Sequence, residues 1–220
     1  MRKFISESQQ PSNYMFTSKE RQPVKFPSRG LWAALIAITG LSVFVGRVDA
    51  VPSAKDLAQK STEIHWPTGF SPESADLFSH DEVVVRASSS TVWRYLVAAE
   101  QWPKWYNEVQ SVKIWDSDHT LRLGSIFSWN RFSADHLSRV AEYVPNQRIA
   151  WYTNEPNVSA YHAWLLIPVA DGCRVVMEKV DHGPTIASYR LMVHLADQSW
   201  VNRLKAVSES LSNKSASSQK

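Results

Sequence analysis

Apolar and polar positions follow three different rhythms along this chain. From Gly30 to Gly46 the stretch GLWAALIAITGLSVFVG carries no charge. Residues 51–77 contain Pro52, Pro67 and Pro72 and no sustained period. They read as an extended connector, with Ile64, Trp66 and Phe70 free to pack on a neighbouring surface. The run Asp81–Ala87 is β-branched and reads as a first strand. Ser88–Thr91 supplies N-cap residues for a helix whose apolar positions Val92, Trp93, Leu96 and Val97 have helical spacing. Trp102-Pro103 opens a second short helix, because proline suits a first helical turn.

After that the period falls to two. Strands are expected at about 110–116, 124–131, 135–143, 148–153, 159–168 and 173–181. Short breaks such as Pro145-Asn146-Gln147 and Ala170-Asp171-Gly172 separate them. Connections this short cannot carry parallel crossovers, so a largely antiparallel meander is expected. Gly183-Pro184 ends it. Tyr189, Val193, Ala196, Trp200, Leu204, Val207 and Leu211 then form one apolar stripe over about six helical turns. A long helix with one such face must lie on a large surface, and the sheet is the only one available. The expected class is α+β: a curved antiparallel sheet wrapped around a long C-terminal helix, preceded by an N-terminal hydrophobic export segment. The chain divides into a polar basic region (1–29), the apolar segment with its flank (30–50), the connector (51–77), the domain (78–211) and a polar tail (212–220).

Charge sharpens this division. The net charge is +3, but residues 1–50 carry +4 and the remainder −1. A near-neutral domain offers no footprint for a phosphate backbone, so no nucleic acid is expected as partner. Basic residues crowd ahead of the apolar run and only Arg47 follows it closely, which keeps the N-terminus cytoplasmic and exports the rest. Two outcomes stand. Cleavage after Val48-Asp49-Ala50 releases a periplasmic or secreted domain. Alternatively residues 30–46 stay as a single-pass anchor, at the lower length limit for a hydrocarbon core about 30 Å thick. Met15 offers an alternative start for a leader of more usual length. The oligomeric state has no signature in the sequence.

From His65 to Glu209 the pieces resemble one family. They include Trp66-Pro67 with Gly69-Phe70-Ser71-Pro72, Val92-Trp93, Trp102-Pro103-Lys104-Trp105-Tyr106, and Gly124 with Phe127-Ser128-Trp129. Further on come Arg148-Ile149-Ala150-Trp151, Tyr161-His162-Ala163-Trp164, Asp171–Glu178, Gly183-Pro184, and Trp200 with Leu204-Lys205 and Glu209. In this order they are similar to the SRPBCC superfamily, of the polyketide cyclase/dehydrase and START-like type, whose fold is the helix grip of the birch pollen allergen. The resemblance implies a hydrophobic or aromatic molecule held between sheet and helix, with only some members enzymes. Two departures stand near the expected ligand mouth. Lys179 follows Glu178 where a second acidic residue is frequent, and Arg131-Phe132-Ser133-Ala134 replaces a turn that often holds glycine.

The chemistry candidates follow from the strands. If the hairpin at 169–172 is tight, His162 and Glu178 lie opposite on one face, and the carboxylate raises the basicity of the imidazole. That is a general base for proton abstraction beside a carbonyl, or for dehydration; the alternative is a structural pair. Trp129, Trp151 and Trp164 line a cavity or fill the core, and Trp200 roofs the cavity or joins that core. Arg131 meets a ligand carboxylate or ends a strand in solvent, while Trp102 and Trp105 read as packing residues. The seven histidines include no HExxH and no ligand-spaced pair with a third donor, so no metal is expected. There is no Gly-rich phosphate loop, so no cofactor is expected either. Cys173 stands alone and reads as a small buried hydrophobe. The expected function is an exported or membrane-anchored protein that binds a lipid, quinone or polyketide-like molecule, with a hydrophobic small molecule as its partner. Binding without catalysis is preferred over a cyclase/dehydratase using His162 and Glu178. A membrane-tethered interaction domain without ligand is the third reading.

Overall fold

The computed structural model describes residues 53–217. The basic region, the apolar run 30–46 and the end of the tail lie outside the described residues. Among the described residues no helix is long and apolar enough to cross a membrane.

A short helix α1 (Ala54–Gln59) and a 3-10 turn (Pro72–Ser74) precede β1 (Leu77–Val85), α2 (Ser89–Val97) and a second 3-10 turn (Ala99–Lys104). Then come β2 (Val109–Ile114), β3 (Ile126–Arg131), β4 (Ala134–Val144), β5 (Arg148–Glu155), β6 (Val158–Val169), β7 (Gly172–His182) and the long α3 (Ile186–Ser217). All pairings are antiparallel, in the order β1-β7-β6-β5-β4-β3-β2. The chain runs as a meander from β2 to β7, and β1 closes the far edge against β7. The antiparallel sheet with its long closing helix is the architecture the sequence implied.

Side chains alternate across a strand, so this sheet has two faces with different uses. The inner face carries Phe127, Trp129, Ile149, Trp151, Trp164, Leu166, Val175 and Met177. They pack against Trp200, Val201 and Leu204 of α3 and Val92, Trp93 and Leu96 of α2. The Ser88 side chain starts α2 by accepting a hydrogen bond from the Thr91 N–H at 3.2 Å. The outer face is covered by the connector. Ile64 packs with Ala150, Tyr161, Ala163, Leu165 and Val176, and Trp66 and Phe70 lie against the same cluster.

Three boundaries differ from expectation. The first strand starts at Leu77, four residues before Asp81, because Ser79, His80 and Asp81 break the apolar alternation although all three are buried. The second short helix is a 3-10 turn that begins at Ala99 and has Pro103 inside it. In α3 the buried stripe includes Ala196, Trp200 and Leu204, but Tyr189 is half exposed.

Candidate functional site

The first half of α3 does not close tightly on the sheet. Between them lies a cavity of about 360 Å³. Its walls are largely apolar: Val158 and Ala160 from β6, Phe132 from the β3–β4 turn, and Ile186, Tyr189, Met192 and Val193 from α3. Trp129, Arg131, His136, His162, Lys179 and Asp181 bring polar groups to it from the sheet. The volume falls in the range of small-molecule sites, as does the pattern of apolar walls with a few convergent polar groups.

The turn at the mouth is strained. Arg131 pairs with Ala134, leaving Phe132 and Ser133 as a two-residue hairpin loop with φ of 53° and 61°. Such loops need a left-handed backbone at both central positions and favour Asn-Gly there. Here a phenylalanine adopts it, and its side chain lies on the cavity with the Arg131 guanidinium 4.9 Å from its ring. The local rule is broken where the cavity opens.

The polar floor is a buried network. Arg131 Nη2 donates to Asp197 Oδ1 at 2.9 Å. Lys179 Nζ stands 3.0 Å from Asp197 Oδ2 and 3.1 Å from Asp181 Oδ2. The Ser79 hydroxyl donates to Asp197 Oδ2 at 3.1 Å. Two cations and two carboxylates therefore balance in a site where all four side chains are buried. Burial alone opposes the charge on Asp197, but Lys179 and Arg131 outweigh it and hold the carboxyl at about 2. Asp181 goes the other way. Burial pushes it up and outweighs the Lys179 ammonium, which lies 3.1 Å from Oδ2 and pulls the other way. His162 is held well below the usual imidazole range by burial and by the Lys179 charge, so it is neutral. Its Nδ1 lacks a partner among the described residues.

The expected pairing of His162 with Glu178 fails by one residue. The hairpin sets Val169 opposite Gly172, which brings His162 opposite Lys179 and Glu178 opposite Ala163. A slip of one residue turns a side chain to the other face. His162 points inward, stacked on Trp151 at 5.4 Å and 16°. Glu178 points outward and is fully buried under the connector. It accepts from the Ser61 N–H at 2.6 Å and bonds His80 Nδ1 at 2.8 Å. Glu178 is thus a fastener for the connector, not a partner of the cavity.

Of the five residues expected to bind ligand, Trp129 and Arg131 line the cavity. Trp129 is oriented by donating its indole N–H to Ser138 Oγ at 2.9 Å. Arg131 is buried, not at a solvated strand end. Trp151, Trp164 and Trp200 lie beneath the cavity as core. Trp200 is packed edge-on against Trp102 at 5.1 Å and stacked on Tyr106 at 4.9 Å. Cys173 is buried, and Trp102 is a core residue. Asp181 and Asp197 were not singled out, and Lys179 was marked only as a departure from the family pattern near the mouth. Their signal is visible: 179 and 181 continue the inner-face alternation of Val175 and Met177, and Asp197 sits beside Ala196 in the buried stripe of α3. Among the described residues no group of three His, Cys, Asp or Glu side chains is placed to hold a metal ion.

Known structures share this fold. A hypothetical protein of Helicobacter pylori superposes with a TM-score of 0.63 at 23% identity, over 68% of this chain and 98% of its own. The Zhui aromatase/cyclase of a Streptomyces species gives 0.51 at 16%, over 60% and 93%. The di-domain aromatase/cyclase StfQ of the steffimycin biosynthetic pathway gives 0.53 at 12%, over 62% and 51%. At these identities the likeness is one of fold. No curated protein matches in a sequence comparison. Residues 79–196 match the family described as polyketide cyclase / dehydrase and lipid transport, a span that runs from Ser79 to Ala196, next to Asp197, and holds every residue of the cavity lining. With more than half its length inside that match, and the helix-grip fold around it, the chain belongs to the polyketide cyclase / dehydrase and lipid transport family.

Proposed function

We propose that the protein is an exported or membrane-anchored carrier or sensor that holds an amphiphile with a large apolar body and a neutral polar head. The observation that carries this is the cavity of about 360 Å³, with apolar walls and a charge-balanced floor. Arg131 and Lys179 already face carboxylates, so an anionic head would compete with Asp181 and Asp197 for them. A carbonyl or hydroxyl instead meets donors and acceptors that are already oriented, next to the neutral His162 and the raised carboxyl of Asp181. The family, which spans polyketide cyclases and lipid transport, supports a hydrophobic ligand. Export rests on the apolar run 30–46 and the basic residues ahead of it. The test is native mass spectrometry of the protein prepared without detergent. A reproducible adduct of an apolar compound is expected. Repeated apo spectra, together with no uptake of a pyrene-labelled long-chain alcohol, would count against binding.

A second reading is favoured by one pair. His162 and Asp181 share the cavity, the imidazole neutral and the carboxyl raised toward its protonated form. Divergent protonation of two groups in one site suits base and acid roles in a cyclase or dehydratase. His162→Gln separates the readings. A carrier keeps its ligand within a few-fold of the parent affinity, whereas an enzyme loses turnover and accumulates bound substrate.

A further inference from the structure

We infer that the solvent-facing side of the first half of α3 is a docking surface for an anionic lipid bilayer, through which the cavity exchanges its ligand. This rests on the ligand-binding reading above and adds where the ligand comes from. The first observation is the helix itself. Leu191, Leu195 and Met192 are exposed by 71%, 54% and 42%. At 100° per residue they fall within an arc of about 100°, on the side away from Trp200 and Leu204. A solvated helix face ordinarily carries polar residues there, and from Gln198 onward α3 does so with Gln198, Asn202 and Arg203. The apolar patch is therefore confined to the half of α3 that borders the cavity.

The second observation is continuity. Met192 belongs to both the patch and the cavity lining, and the half-exposed Tyr189 and Phe132 stand at the same opening. A ligand leaving past these side chains would enter water at an apolar rim. Against a bilayer it would pass from one apolar phase to another.

The third observation is that Ser53, close in sequence to the apolar run, borders the start of α3. Ser53 and Lys55 line a separate cavity of about 250 Å³ with Leu77, Arg190, Leu191 and His194 of the same region. The apolar run ends at Gly46, seven Cα steps earlier, which span at most about 25 Å. If that run enters a bilayer, the start of α3 is held close to the lipid surface. The charge there fits an anionic headgroup. Arg190 Nε and Nη2 are buried without a hydrogen-bond partner among the described residues, Lys55 lies beside them, and Asp56 is the one carboxylate in that lining.

The test uses the full chain with vesicles of phosphatidylcholine and phosphatidylglycerol. An environment-sensitive fluorophore is placed on Leu195→Cys, and for comparison on Asp171→Cys at the β6–β7 hairpin tip, which lies at the opposite end of β6 and β7 from the cavity mouth. Cys173 is buried and does not compete for the label. Spin-labelled lipids are expected to quench the label at 195 several-fold more than the label at 171. Equal quenching at both sites overturns the proposal. So does crosslinking of Leu195→Cys copies to each other without quenching, which assigns the face to a second copy of the chain. Leu191→Glu/Leu195→Glu, at exposed positions, is expected to keep the pyrene-labelled alcohol in vesicle-free solution. Its transfer of that probe between vesicles should slow at least about tenfold, since burying two leucines is worth more than one decade. An unchanged transfer rate overturns the docking role. If the parent takes up no alcohol while the label at 195 is still quenched, the cavity reading fails and the docking surface stands.

Discussion

Lys179 is the residue on which the buried network turns, and Lys179→Met is the sharpest perturbation of it. The substitution keeps length and apolar volume but removes one of the two cations in the cluster. Asp197 retains Arg131 at 2.9 Å and Ser79 at 3.1 Å. Asp181 retains nothing, since Lys179 is its one cationic neighbour within salt-bridge distance among the described residues. At about pH 8 an uncompensated buried carboxylate costs about 3–5 kcal/mol of stability, the general cost of breaking a buried ion pair from one side. At about pH 5 the raised Asp181 carboxyl accepts a proton more readily. What remains is then the loss of the Lys179 contact to Asp197 Oδ2, about 1.5–3 kcal/mol for one charged hydrogen bond. Urea unfolding followed by tryptophan emission measures both, because Trp129, Trp151 and Trp200 pack around His162. Adding Asp181→Asn restores neutrality and should recover most of the loss at the higher pH. Equal losses at both pH values, or a double variant weaker than the single one, would refute the charge-balance reasoning.

Four further outcomes are expected. Burial, followed by the Asp197 charge, raises Asp81 to about 6. The native chain therefore binds more protons than the unfolded chain between the model-compound value of 3.8 and about 6, and stability falls as pH rises through that window. Asp81→Asn should remove that slope, gaining at most about 3 kcal/mol over the parent above pH 6 and little near pH 4, as read from unfolding midpoints. Replacing Phe132-Ser133 by Asn-Gly should relieve the left-handed strain, raising stability by about 1 kcal/mol while weakening ligand retention, because the ring at the mouth is lost. Trp151→Ala should cost about 3–5 kcal/mol as a core deletion, with thermal unfolding as the readout. Glu178→Gln should leave ligand binding intact but speed proteolysis within the connector, because Ser61 and His80 lose their charged partner.

The fold was legible because its periods are clean. The seven-residue stripe of α3 and the two-residue alternation of β3 to β7 each point to one side of one element. The site was legible only in outline. Trp129, Arg131 and His162 were found because aromatic and basic residues on inward positions are conspicuous. Glu178 was misplaced for a physical reason. In a hairpin the face of every side chain depends on which residue of the loop is counted first, and two acidic positions, 178 and 181, sit on opposite faces of one strand. Asp181 escaped notice, and Lys179 was read only as a departure near the mouth, because each is polar in a run otherwise read as core. They are tolerated there only because Asp197 arrives from α3, and that long-range meeting leaves no local pattern. The tryptophans stayed open between lining and core for a different reason: an inward indole fills core or borders a cavity with the same sequence signature, and only the gap beneath the first half of α3 distinguishes them.

The proposed function rests on the space between sheet and helix being a ligand site. The most direct measurement compares bound mass in the parent and in Ala160→Phe by native mass spectrometry. Ala160 is buried, lines the cavity and stands two residues from His162 on the same face of β6. A phenylalanine there fills part of the about 360 Å³ without reaching the outer face. An apolar adduct is expected on the parent and should disappear from a folded Ala160→Phe protein. An adduct that survives the filled cavity, or none on either protein, would contradict a ligand site there.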